Sequence, residues 1–301
     1  MSDSLRDSTL GFLIDAGLTR GQSVRLSATL DTMISQHAYP EKVGEFLAES
    51  AALTALLAST VKYDGVFTLQ VRSSGPIQTL VVQETADGKM RGYARYDEAA
   101  LSAATSNADG KDNPVAHYFG NGVLTFTTEK GTETYQGVVG LDKTSLSECV
   151  CDYFRQSEQI ESDIRLSVKS PDETNGWRVG AILLQKMPFD KKIVALMNSA
   201  DGDELWNTAD ILLKSATPAE LTDPLIGHEE LLYRLFHQND LHFFTPKNVD
   251  FGCRCSKEKV LEMLRHFSEQ DRKDMIQDGV IKVDCQFCGK SYTLTLKDLG
   301  E

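Results

Sequence analysis

Two cysteine pairs, Cys253 and Cys255 in "FGCRCSKEKV" and Cys285 and Cys288 in "VDCQFCGKSY", constrain the fold more than any other feature. They hold four of the six cysteines in 301 residues. Thiolates bind zinc at about 2.3 Å in a tetrahedron, so the chain has to bring two pairs of sulfurs together from opposite sides. In extended chain, residues i and i+2 point the same way, which lets Cys253 and Cys255 ligate one ion. The second pair has the form of a zinc knuckle: strand-like "GVIKVD" leads in, "SYTLTL" returns, and Gly289 takes the positive φ of the turn. Between the pairs, "SKEKVLEMLRHF" reads as a helix N-capped by Ser256, and "SEQDRKDMIQDG" as a second, capped by Ser268 and ended by Gly279. The pattern predicts one Zn²⁺ per chain on Cys253, Cys255, Cys285 and Cys288. Spacing leaves two uses of the metal open. It can staple a unit of about fifty residues that is too small to hold itself. It can equally sit in a redox switch, because a C-x-C disulfide closes a strained ring and adjacent C-x-x-C thiolates exchange readily.

The chain has ordinary globular composition, with 41% hydrophobic and 25% charged residues. "MSDSLRDSTLGF" has no basic stretch followed by an apolar one, and "AALTALLAST" is far shorter than the roughly 18 apolar residues of a membrane span. The expectation is a cytosolic protein, where clustered cysteines serve metal or redox chemistry rather than permanent disulfides. Net charge is −13. Residues 251–301 balance nine Lys/Arg against nine Asp/Glu, whereas 196–250 hold three against ten. No segment offers the basic field that nucleic acid or an anionic membrane attracts, so neither is expected as a partner.

Upstream, "GQSVRLSATL" alternates as a strand. "PEKVGEFLAESAALTALLASTVK" (40–62) is a long helix with Pro40 in its first turn and apolar residues around most of its circumference, the mark of a buried helix. "GVFTLQVRSSGPIQTLVVQETADGKMRGYARY" and "GVLTFTTEKGTETYQGVVGL" have period two and turn signals, which makes antiparallel hairpins. A helix over 145–160 precedes strands at 163–169 and 177–186. The fold class is α+β, with residues 1–190 as antiparallel strands packed around the buried helix in β/α/β layers. Residues 191–250 form an acidic linker of short amphipathic helices, and 251–301 the zinc unit. The linker stripe of Leu231, Leu232, Leu235 and Phe236 has to dock on something, because isolated helices of about 12 residues are marginal in water.

The C-x-C and C-x-x-C pairs following "YRLFHQ" resemble the heat-shock protein 33 family of redox-regulated holdase chaperones, as do "VKYDGVFTLQV", "GKMRGYAR", "YQGVVGL" and "DYFRQSEQI". The likeness runs in order along nearly the whole chain. It implies a reduced, zinc-bound, inactive state. It further implies that oxidation forms a disulfide in each pair, releases zinc, unfolds the redox domain and linker, and yields an active, ATP-independent chaperone that is usually dimeric and binds unfolding proteins. On that reading the four cysteines are both zinc ligands and redox sensors. The released linker would expose Leu231, Leu232, Leu235, Phe236, Phe243 and Phe244 to clients.

Other signals carry less. Cys149 and Cys151 form a second C-x-C, but on a helix residues two apart diverge by about 200°, so they cannot share one ion and are expected to be partly buried thiols. "CGKS" at 288–291 lacks the first glycine of a phosphate-binding loop, since Asp284 stands there. His242 and His266 are superfluous beside four thiolates. No nucleophile–base arrangement stands out, and an enzyme is not expected. Two alternatives to the switch are a constitutive zinc-stapled binding protein and, less favoured, a thiol-disulfide oxidoreductase using Cys285 and Cys288.

Overall fold

The computed structural model describes residues 6–106, 112–131, 133–188 and 199–299. Its centre is the helix Glu41–Thr60, of which 14 of 20 residues are buried. Alanines at 48, 51, 52, 55 and 58 keep its girth small, so a sheet packs on either side. Gly44 lies so close to the Trp177 ring that a Cβ there would sit 2.6 Å from it.

Strands β1 (Ser8–Ile14), β2 (Thr19–Leu26), β8 (Ser162–Lys169) and β9 (Arg178–Lys186) belong to the first sheet, and β3 (Val66–Ser73), β4 (Ile77–Thr85), β5 (Lys89–Tyr96), β6 (Gly122–Lys130) and β7 (Glu133–Gly140) to the second. Three short strands downstream, β10 (Leu241–Phe243), β11 (Lys247–Asn248) and β12 (Asp250–Phe251), complete them. The first sheet runs β10-β1-β2-β9-β8, with β11 also on β1; the second runs β12-β5-β4-β3-β6-β7. The expected β/α/β layering is therefore present. Against expectation, Ser8–Ile14 is a strand, and the helix beginning near 145 is α-helical only over Leu146–Tyr153 before passing into a π-helical turn, Phe154–Glu158.

The first sheet is buried on both faces. Val24, Leu26, Val179, Ala181 and Leu183 face the central helix. Leu10, Phe12, Ile14, Ile182 and Leu184 face a second core, closed by the helices Ser199–Ser215, Pro218–Thr222 and His228–Phe236. Leu231, Leu232, Leu235 and Phe236 are buried there, and the Phe236 ring lies 6.2 Å from that of Phe12. Phe243 packs partly buried at the edge of this core, while Phe244 is exposed. The stripe that had to dock on something docks on the N-terminal sheet. Residues 189–198, the start of the expected linker, lie outside the described residues.

From β10 to β12 the chain crosses from the first sheet to the second. Phe12 pairs with Phe243 in antiparallel register, and Asp250 pairs with Lys89 in parallel. At the crossing Lys247 meets the buried carboxylate of Glu84 at 2.8 Å. Burial raises the Glu84 pKa, and Lys247 opposes that rise. The segment expected to be helical linker thus ends in strands belonging to both sheets.

The remainder is a small unit: helices Lys257–Arg265 and Glu269–Asp274, the hairpin β13 (Ile281–Asp284) and β14 (Ser291–Leu294), and a terminal turn of helix Leu296–Leu299. Ser256 and Ser268 cap the two helices as expected. The second helix stops before Gly279, whose φ of 80° instead serves a tight turn closed by Gln277 and Val280. Only Leu264, Ile281 and Leu294 form the buried centre of this unit among the described residues.

Candidate metal centre

Leaving β12, the chain is held to the second sheet by the Gly252 amide, which donates to the Met90 carbonyl at 2.8 Å. The extended run 252–255 then directs Cys253 and Cys255 to one side before the Ser256 cap opens a helix. At the hairpin tip, the Cys288 and Gly289 amides donate to the Cys285 carbonyl at 3.3 and 2.8 Å, and the Cys285 amide donates to Lys290 at 3.0 Å. Gly289 has φ 65°, the left-handed conformation expected of the knuckle.

These two pieces bring all four sulfurs within 4.8 Å of one another. Cys253 and Cys285 are 3.7 Å apart, and Cys255 and Cys288 are 3.4 Å apart. A tetrahedron with metal–sulfur bonds of about 2.3 Å has edges of about 3.8 Å, so the group fits a zinc-sized ion. Both of these contacts join one motif to the other. All four thiols are free. Disulfide bonding, with sulfurs about 2.05 Å apart, is incompatible with keeping these corners.

The thiols differ in acidity. Burial acts to raise the Cys253 pKa, but the Cys255 amide, the Cys255 and Cys288 thiols and Arg91 together bring it down to about 7. Cys288, with burial dominant and neighbouring thiols adding to it, is pushed up to about 12. The Tyr292 hydroxyl donates to Cys255 Sγ at 3.1 Å, supporting the metal shell from outside.

The centre also rests on the N-terminal domain. Arg91 and Tyr93 stand on the outer face of β5, and Gln83 is cross-strand from Arg91. The Arg91 guanidinium lies 3.9 Å from the centre of the Phe287 ring, between the C-x-x-C cysteines, and Tyr93 meets the same ring edge-on at 4.9 Å. Arg91 Nη1 reaches to 3.7 Å from Cys253 Sγ. Gln83 Oε1 accepts from Arg91 Nε at 3.0 Å and from Arg254 at 2.9 Å. One arginine therefore touches a sulfur, the knuckle and the sheet. Sequence reasoning missed Arg91, Tyr93, Gln83 and Tyr292. The first three alternate outward on their strands and read as ordinary solvent-facing residues, and no local motif marks Tyr292.

Cys149 and Cys151 are buried on the helix Leu146–Tyr153 in the core around the central helix, and burial raises both thiols, Cys151 to about 12. Neither they nor His242 and His266 join the metal-ligating group.

A family model described as "Hsp33 protein" matches residues 7–295. The chain belongs to the Hsp33 family. Among curated proteins, the 33 kDa chaperonin of Caulobacter vibrioides is 32% identical over 296 residues, covering 96% of this chain and 95% of that one. The 33 kDa chaperonin of Pseudomonas putida is 33% identical over 299 residues, covering 98% and 93%. The crystal structure of the Thermotoga maritima 33 kDa chaperonin superposes with a TM-score of 0.80 at 21% identity over 98% of this chain and 97% of that one. That likeness supports the Hsp33 fold throughout. No helix among the described residues is long and apolar enough to cross a membrane.

Proposed function

We propose that this Hsp33-family chain is a redox-regulated, ATP-independent holdase chaperone of the cytosol, inactive when reduced and zinc-loaded and active, as a dimer, when oxidised. The chaperone role is suggested by the names of its relatives. The regulation is suggested above all by one observation: the sulfur tetrad follows directly on strands that join both sheets, and those strands follow directly on the helices covering the first sheet's outer face. Zn²⁺ bound to Cys253, Cys255, Cys285 and Cys288 would hold the sulfurs as thiolates and contribute folding free energy on the order of 10 kcal/mol.

The protein's own residues do the rest. Closing disulfides between Cys253 and Cys255 and between Cys285 and Cys288 would move sulfurs off the tetrahedral corners, each bond forming from two thiolates that pass two electrons to the oxidant, which leaves Zn²⁺ without its ligands. With three residues at its buried centre, the unit has little else to keep it folded. Arg91 then loses Phe287 and Cys253 as partners, and the helices around Phe236 lose the strands that anchor them. What becomes exposed is Leu231, Leu232, Leu235, Phe236 and Phe243, beside the already exposed Phe244, together with the face of the first sheet they covered. Unfolding proteins bind there.

The small core also suits a permanent zinc staple, so that reading stays in the test. An oxidoreductase is less well supported, because Cys285 and Cys288 sit in a hairpin turn rather than at a helix N-terminus. Light scattering of a chemically denatured client, with reduced zinc-loaded and oxidised protein side by side, separates the readings. The switch predicts suppression by the oxidised form alone; equal suppression by both forms would establish the staple.

A further inference from the structure

Beyond the last turn of the central helix, between the two sheets, lies a cavity of about 450 Å³. That is within the size range of small-molecule sites. It is far from the cysteine tetrad in the fold and shares no residue with it. Phe67 and Phe126 of the second sheet, Tyr153 at the end of the helix Leu146–Tyr153, Phe154 of the π-helical turn, and Leu57 of the central helix give it apolar and aromatic walls. Val61 and Tyr135 stand at the mouth, exposed to 44% and 51%.

Two features set this cavity apart from a packing gap. The first is Arg20, which reaches in from β2. Its Nη2 donates to the buried Gln185 Oε1 at 2.6 Å, but its Nε is buried and has no hydrogen-bond partner. Burial lowers its pKa, and no neighbouring carboxylate offsets that effect. Arg20 is half-buried, and a partly desolvated guanidinium with no carboxylate beside it gains from pairing with an anion. The second is the backbone. The π-helical turn Phe154–Glu158 ends at Gln159 with φ 56° and ψ 32°, a left-handed conformation uncommon for a residue other than glycine. π turns and such residues gather at binding sites, where surrounding structure holds them. Here Phe154, the first residue of the turn, and Tyr153, which precedes it, both line the cavity. The acids on the lining are otherwise engaged or peripheral: Glu158 accepts from Tyr135 and Tyr153 at 2.6 and 2.8 Å, while Glu133 and Lys62 carry opposite charges.

We infer that this cavity binds a small amphipathic organic acid, its carboxylate paired with the Arg20 guanidinium and its apolar chain or ring lying among Leu57, Phe67, Phe126 and Tyr153. A guanidinium beside the cavity attracts a carboxylate by charge as well as by hydrogen bonding, which favours an acid over an alcohol and disfavours an amine. The site belongs to the core domain and is independent of the thiol chemistry proposed above.

The probes are sodium decanoate, decanol and decylammonium, titrated into the reduced, zinc-loaded full chain and followed by methyl NMR. Decanoate is expected to saturate at one per chain, with shifts confined to the Leu57, Val61 and Ile160 methyls, and to bind better than the other two. Arg20→Met, which retains an apolar stem, is expected to weaken decanoate at least about tenfold and leave decanol unchanged. Val61→Trp, at an exposed position that folding tolerates, is expected to block the mouth to both. Absent saturation, shifts spread over the helices of 199–236, equal affinity for decanoate and decanol, or binding undiminished in Val61→Trp would each overturn the assignment.

Discussion

Phe236→Ala is the sharpest perturbation of the proposed latch. The ring is fully buried, packs against Phe12, and belongs to the core that joins the linker helices to the first sheet. Phe→Ala at such a site costs about 3–5 kcal/mol through lost burial and the cavity left behind. Every 1.4 kcal/mol is about tenfold, so the undocked fraction of the helix His228–Phe236 should rise by roughly two to three and a half powers of ten. Arg234 lies in the same helix and gives trypsin a cleavage site beside the lesion. When opening is fast relative to cleavage, proteolysis follows the open population. Cleavage after Arg234 in the reduced, zinc-loaded variant should therefore accelerate at least about a hundredfold, while the β3–β7 region stays resistant. The same reduced variant should suppress client aggregation without oxidation. Leu225→Ala, at a side chain 79% exposed, is the control and should change neither rate. Faster cleavage without chaperone activity in reduced Phe236→Ala would refute the idea that the docked helices block the client surface.

Three further outcomes follow from the same geometry. His228 sits between the Ser8 and Ser23 hydroxyls at 3.1 and 2.8 Å, and burial, then the charge of Arg25, takes its pKa from 6.5 to about 3. The folded state thus binds its proton less readily than the unfolded state, so the stabilisation is complete above pH 6.5 and is lost as pH falls from there toward 3, by about 2 kcal/mol at pH 5; urea melts of wild type and His228→Gln should diverge by that difference between pH 7 and 5. Cys285→Ser should weaken zinc binding by more than the roughly 10–100-fold expected for Tyr292→Phe, which removes only an outer hydrogen bond, whereas Cys149→Ser should leave metal competition titrations unchanged. Arg91→Leu removes the contact with Phe287 and Cys253 and should loosen the metal unit from β5 by about 1–2 kcal/mol, read as faster hydrogen exchange at residues 285–290 with metal content unchanged.

The tetrad was legible in the sequence because metal chemistry fixes its spacing, and the central helix because apolar residues all round leave no solvent-facing side. Strand β1 was not legible: both its faces are covered, so "STLGFLI" lacks alternation and follows a polar start. The return strands escaped for a different reason. Lys247–Asn248 and Asp250–Phe251 are two residues each and pair through backbone groups, which no side-chain pattern advertises. The amphipathic helices announced that they needed a partner without saying which; only the double-sided burial of the first sheet supplies it. The π-helical turn at Phe154 has no sequence period of its own.

Hydrogen exchange across the whole chain, on zinc-loaded reduced protein and on protein oxidised until it suppresses aggregation, tests the central claim most directly. The switch predicts that protection collapses from residue 199 through 299, including the Leu231–Phe236 stripe, while the central helix and β2 to β9 keep theirs. Active oxidised protein with unchanged protection over 199–299 would contradict it.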